Sequence, residues 1–198
     1  MQNTDLVDLI THGREERNLD YKKSMNWANQ ETQAMVIKSC LGMANIRDGG
    51  FIIFGVDQTG EEFVLHGMKE DDFASYSQDL VSVVVNEYAD PFVELAVIPV
   101  HHNNMKFIVI QVEEFSEIPI ICKKDGSRGL ARGAIYTRTR RLCETARVPS
   151  QSEMREILEI ATEKGIRNFQ SRVSKAGLAV SEPGEMDRKK FEKELNGL

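Results

Sequence analysis

Phe51-Ile52-Ile53-Phe54-Gly55-Val56-Asp57 is the stretch that decides the fold. Four consecutive apolar residues, with a fifth after Gly55, leave no polar face. That pattern predicts a central strand covered on both sides. Gly49-Gly50 punctuates the chain before it. Further upstream, Ala34, Ile37, Leu41 and Ala44 recur at helical spacing, with Val36, Cys40 and Met43 as a second apolar stripe, so Glu31 to Ala44 predicts a largely buried helix. After the strand, Asp57-Gln58-Thr59-Gly60 predicts a turn, a position where aspartate is favoured for its own backbone hydrogen bonds.

Working outward, Leu19-Asp20-Tyr21-Lys22 alternates and predicts a strand on which Asp20 and Lys22 share a face. Asp5 to His12 predicts a short helix ended by Gly13. Phe73, Tyr76, Leu80, Val84 and Tyr88 predict one amphipathic helix over Asp71 to Tyr88. Phe92 to Val100 and Lys106 to Val112 predict a hairpin around His101-His102-Asn103-Asn104. Ile118 to Cys122 and Ala134 to Arg138 predict two more strands. Ser150 and Glu153 form a capping box that opens a helix through Ala161. The order implies an α/β (α+β) fold, a mixed sheet flanked by helices. We expect a domain over residues 1–170, then a linker and a short charged helix, Met186 to Leu195, in residues 171–198.

The 198 residues suffice for one core, and no apolar run approaches the roughly 20 residues of a membrane span. The polar start, Met1 to Asp8, is unlike a signal peptide. Cys40, Cys122 and Cys143 lie far apart, as expected of reduced thiols in a cytoplasmic protein. Net charge is −6, which argues against an indiscriminate polyanion binder. Yet Cys122 to Arg147 holds eight basic residues against Asp125 and Glu144, a local +6 on a remainder of −12. A basic patch on an acidic body points to a specific anionic ligand. Lys123, Lys124, Arg128, Arg138, Arg140 and Arg141 are its candidate phosphate contacts, with Tyr136 either a ring on which a base could stack or equally a core residue.

Leu19-Asp20-Tyr21-Lys22-Lys23-Ser24, the run from Ile37 to Asp57 with Ala44-Asn45, Gly49-Gly50 and Gly55-Val56-Asp57, and Ile135-Tyr136-Thr137-Arg138 with Thr145-Ala146 together resemble the Schlafen AlbA-type domain. The resemblance spans roughly Glu15 to Ile160. Arg140 stands where relatives often carry glycine, and Asp20 where glutamate is more usual. The ATP-binding label once given to the family finds no phosphate-cradling glycine loop here. The resemblance implies a nucleic-acid partner, RNA such as tRNA more than DNA, and a metal-dependent endoribonuclease activity. It also implies three carboxylates, which fall on Glu15, Asp20 and Asp57. Such a cluster would hold Mg or Mn through hard oxygen ligands, with Lys22 offsetting charge on the phosphate. We therefore expect Glu15, Asp20 and Asp57 to meet at one end of the sheet. A homodimer is expected to rebuild the two-lobed groove of larger relatives. The alternatives are a non-catalytic DNA- or RNA-binding regulatory module and a protein-interaction domain.

Overall fold

A computed structural model describes residues 3–14, 16–59 and 62–177. The chain divides into two compact units, Met1–Ile160 and Ala161–Leu198. In chain order the elements are α1 (Asn3–Thr11), β1 (Leu19–Lys22), α2 (Gln30–Ala44), β2 (Gly50–Phe54), β3 (Val56–Thr59), β4 (Glu62–Leu65), α3 (Glu70–Ala74) and α4 (Gln78–Asn86). There follow β5 (Ala89–Asp90), β6 (Leu95–His102), β7 (Met105–Val112), β8 (Ile121–Cys122), β9 (Tyr136–Arg138), β10 (Thr145–Arg147) and α5 (Gln151–Lys175). The described part of the second unit is α5 from Ala161 onward; the helix expected over Met186 to Leu195 lies outside the described residues.

The main sheet has the order β1-β2-β7-β6, with β1 parallel to β2 and the other pairs antiparallel. It is the mixed sheet expected, and β2 is internal to it. Alternation sends Ile53 to the face where Leu6 and Ile10 of α1 pack with Leu19, Tyr21, Val100, Phe107 and Val109. Phe54 points the other way, its ring tilted against Tyr76 at 5.0 Å between centres, and Tyr76 meets Trp27 at 5.6 Å. Gly49 turns the chain into β2 at φ +67, where a Cβ would lie 2.0 Å from the Val112 carbonyl oxygen.

Three expectations change in detail. The residues from Asp57 do not turn at once. Gly55, at φ +106, breaks the ladder, and β3 then pairs with β4 in a separate hairpin, Asp57 opposite Val64. The helix expected over Asp71 to Tyr88 is two helices. Ser75 donates to the Asp72 carbonyl and Ser77 caps α4 by accepting from the Leu80 amide, as serine does when its hydroxyl competes for backbone groups. The β6–β7 strands reach through His102, leaving only Asn103 and Asn104 in the turn, both at positive φ as a two-residue hairpin requires.

Neither edge of the sheet is left bare. On β6, the Gln78 amide accepts from Val97 N at 2.7 Å and donates to Leu95 O at 2.9 Å, standing in for a neighbouring strand, and Pro99 offers no donor. The fully buried Asn45 ties the end of α2 to the residue before β8 and to β9. Its amide donates to Leu41 O at 3.1 Å, Ile120 O at 2.8 Å and Tyr136 O at 3.0 Å, and accepts from Ile120 N at 2.8 Å. Truncating it strands several buried backbone groups, each costing about 1–3 kcal/mol. Asn45→Ala should therefore lower unfolding stability by roughly 2–4 kcal/mol, read as a lower urea midpoint at unchanged slope.

Candidate nucleic-acid interface

Along the free edge of β1, between α2 and the β9–β10 ladder, lies a cleft of about 280 Å³. Asp20, Lys22, Lys38, Arg128, Arg138 and Glu144 supply its charges, and Met35, Ser39 and Thr145 complete its lining. Strand alternation does what the sequence predicts at β1: Lys22 donates to Asp20 Oδ1. Ser39 donates to Oδ2 at 2.9 Å. Arg138 Nη1 lies 3.8 Å from Oδ1, with both side chains 3% exposed. The rest of the Arg138 guanidinium reads the β1 edge, Nε donating to Arg17 O at 3.0 Å and Nη2 to Leu19 O at 2.8 Å. A buried charge left without partners is costly, and here each charge has several.

Arg17 returns the contact. Its Nε donates to Arg138 O at 2.7 Å, and its fork grips Glu156 of α5 at 2.6 and 2.9 Å. Arg140 reaches the same carboxylate at 3.2 Å. The Arg17 hydrogen bond, more than any other influence, holds the Glu156 carboxyl below its ordinary value of 4.5.

The basic segment separates into different environments. Arg138 and Tyr136 are interior, 3% and 1% exposed. Tyr136 donates its hydroxyl to Gly129 O at 2.6 Å and accepts from Ala131 N at 3.0 Å, so its ring fills core and offers no face to a base. Lys123, Arg140 and Arg141 are exposed. Lys124 pairs with Glu87 at 2.6 Å and lies 4.3 Å from the Tyr88 ring centre. Arg128, at a left-handed φ of +53, pairs with Glu31 at 2.9 Å at the mouth of the cleft. Lys38 sits 5.8 Å from the Tyr136 ring centre and pairs with no carboxylate among the described residues.

Asp57 lines a different cleft, of about 440 Å³, with Lys23, Ser24, His66 and Lys69. The break at Gly55 carries β3 out of the main sheet, and Asp57 lines this second cleft while Asp20 lines the first. Glu15 lies outside the described residues. Among the described residues no three carboxylate, histidine or thiol groups come together as a metal site needs. The Asp20 oxygens already answer an ammonium, a hydroxyl and a guanidinium, so Asp20 as held here is not open to Mg or Mn. Ser39 and Lys38 were not singled out from sequence; the signal was there, as a serine and a lysine interrupting the buried stripes of α2.

The fold and cleft define a mixed-sheet α/β domain with a cation-lined edge. The family model for Schlafen, AlbA_2 matches residues 15–147, two thirds of the chain. The chain belongs to that family. Among solved structures, the DIP2311 protein from Corynebacterium diphtheriae superposes with a TM-score of 0.50 at 14% identity, over 78% of this chain and 28% of its own. That likeness is one of fold, and the chain spans little more than a quarter of that protein. The N-terminal domain of a RecG-related protein from Nitrosomonas europaea gives a TM-score of 0.48 at 20% identity, over 71% of this chain and 93% of its own. No curated protein matches the chain. No helix among the described residues is long and apolar enough to cross a membrane.

The Glu156 contact sets a pH dependence. A carboxyl whose pKa falls on folding adds stability above its unfolded value and loses it as the pH drops toward the folded one. Unfolding free energy should thus decline below about pH 4.5, and Glu156→Gln should lack that part of the decline. Urea titrations of both proteins from pH 7 to pH 3 measure it.

Proposed function

We propose that the chain is a nucleic-acid-binding domain that takes the phosphate backbone into the β1-edge cleft. The observation that carries the reading is Lys38, a half-buried cation without a carboxylate partner, set beside Lys22 and Arg128. Asp20 is neutralised by its neighbours, so the cleft receives an anion in spite of it. Arg140, Arg141 and Lys123 extend the positive surface, and a local field of this kind attracts a polyanion even on a chain of net charge −6. Arg138 acts as the positioning residue that sets the β9–β10 ladder against β1. A homodimer presents the same cleft twice about a two-fold axis.

Fluorescence anisotropy with labelled RNA and DNA oligonucleotides over a KCl series tests this. Affinity should fall with salt at a log–log slope of about 0.7–0.9 per phosphate neutralised. Lys38→Ala with Arg128→Ala should weaken binding and reduce that slope by about 1.4–1.8, the value of two contacts. An unchanged slope would remove the cleft from the interface. Light scattering on the same samples reads assembly, a dimer weighing twice the 22.4 kDa chain.

A hydrolytic form of the reading is an endoribonuclease, dependent on Mg or Mn, acting on structured RNA such as tRNA. Asp57 favours it, as a carboxylate beside Lys23 and Lys69 with no partner among the described residues. On that reading wild-type protein with Mn²⁺ cleaves total tRNA and Asp57→Ala does not; tRNA left intact by the wild type ends it.

A further inference from the structure

The helix α5 is 25 residues long, yet only Ile157 and Ile160 along it are buried. From Ala161 to Lys175 it buries no apolar side chain. Helical stability in proteins comes mostly from packing an amphipathic face, and α5 has a second such face to offer. Leu158 and Ile166 are each 53% exposed and Phe169 is 65% exposed. With Thr162 and the half-buried Val173 they recur every three or four residues. At about 100° per residue the five fall within an arc of about 80°, on the side of the helix opposite Ile157 and Ile160. The face is therefore not the one that α5 turns to the core.

Charge is divided along the same helix. Gln151 to Glu163 holds Glu153, Glu156, Glu159 and Glu163 against Arg155, a net −3. Lys164 to Lys175 holds Lys164, Arg167, Arg172 and Lys175 and no acid, a net +4. The helix macrodipole favours that order, but it acts within the first and last turns, and Glu159, Glu163, Lys164 and Arg167 lie between them. Glu163 and Arg167 approach to 3.9 Å within the helix, an exposed contact of little value by itself. Two copies of α5 laid antiparallel set each acidic half over the other's basic half, whereas laid parallel they set like halves together. The stripe is centred between Gly165 and Ile166. A two-fold axis there sets Leu158 opposite Val173 and Thr162 opposite Phe169, and Gly165, without a side chain, lets the two backbones approach.

We infer that α5 is a self-association surface, its Leu158, Ile166, Phe169 and Val173 stripe packing antiparallel on the same stripe of a second copy, which rests on the homodimer in the reading above and gives that homodimer its interface.

Light scattering on the full chain over a micromolar concentration series is the first test. Wild-type protein should weigh twice the 22.4 kDa chain. Ile166→Asp with Phe169→Asp should raise the dimer Kd by about a hundredfold, tenfold for each apolar anchor lost. Both side chains are exposed, so the fluorescence of the buried Trp27 should match wild type and keep misfolding separate from lost association. Orientation is read by cross-linking in a Cys143→Ser background, since Cys40 and Cys122 are buried. Leu158→Cys with Val173→Cys should form a covalent dimer on a non-reducing gel, and either cysteine alone should not. The two positions lie about 22 Å apart along one helix, beyond the reach of a disulfide, so the bond joins two copies. A single variant that cross-links to itself would show parallel helices, and a double variant that does not cross-link would show another register; each overturns the antiparallel pairing. A dimer that survives Ile166→Asp with Phe169→Asp overturns the α5 surface and leaves the homodimer standing. A wild type that stays monomeric overturns both, while the salt series on nucleic acid tests the phosphate cleft independently.

Discussion

The free edge of β1 is the constraint on which the rest of the structure depends. An edge strand buried under other elements leaves carbonyl groups that must find donors, and here one guanidinium supplies them. Arg138 reaches the carbonyls of Arg17 and Leu19 while its charge is answered by Asp20. This fastens β9 to β1, although 119 residues separate Leu19 from Arg138. The opposite edge, on β6, is closed by a neutral amide, Gln78. The difference has a consequence. A guanidinium brings a positive charge and a carboxylate partner to the edge it covers, so β1 becomes an electrostatic feature and β6 does not.

The β1-edge cleft inherits that character. Asp20 holds the Lys22 ammonium against the strand, and Ser39 fixes the carboxylate from α2, so the positive wall is set before any ligand arrives. Binding then loses little side-chain entropy at those residues. Arg128 differs, because it is held by an exposed glutamate. On the proposed reading a phosphate at the cleft mouth competes with Glu31 for it, an exchange that salt weakens on both sides.

The candidate site was legible in parts, and each part has its reason. Asp20 and Lys22 could be paired from sequence because a strand's period of two is local. Tyr136 and Arg138 could be marked as a pair of interest, with Tyr136 open to either a core or a base-stacking place, but the interior position of Arg138 could not be read, since burial depends on what packs over a strand. Asp57 was placed with Asp20 on spacing, and the structure sets it in a neighbouring cleft. Gly55 was visible in the chain, but its φ of +106, which redirects β3, was not. Ser39, Lys38 and the Arg17–Glu156 contact join residues from α2, β9 and α5, and no local pattern links them.

By itself the sequence determined the α/β class, the internal position of β2, the buried α2, the helix opened by Ser150 and the excess of positive charge between Cys122 and Arg147. These follow from periodicity, capping and composition, which act over a few residues at a time. The tertiary structure decided which of those positive charges are spent inside the protein and which face outward. It also decided that the two aspartates look into separate clefts. Both outcomes depend on how β9 and the β3–β4 hairpin pack against β1, and that packing is set by contacts between residues far apart along the chain.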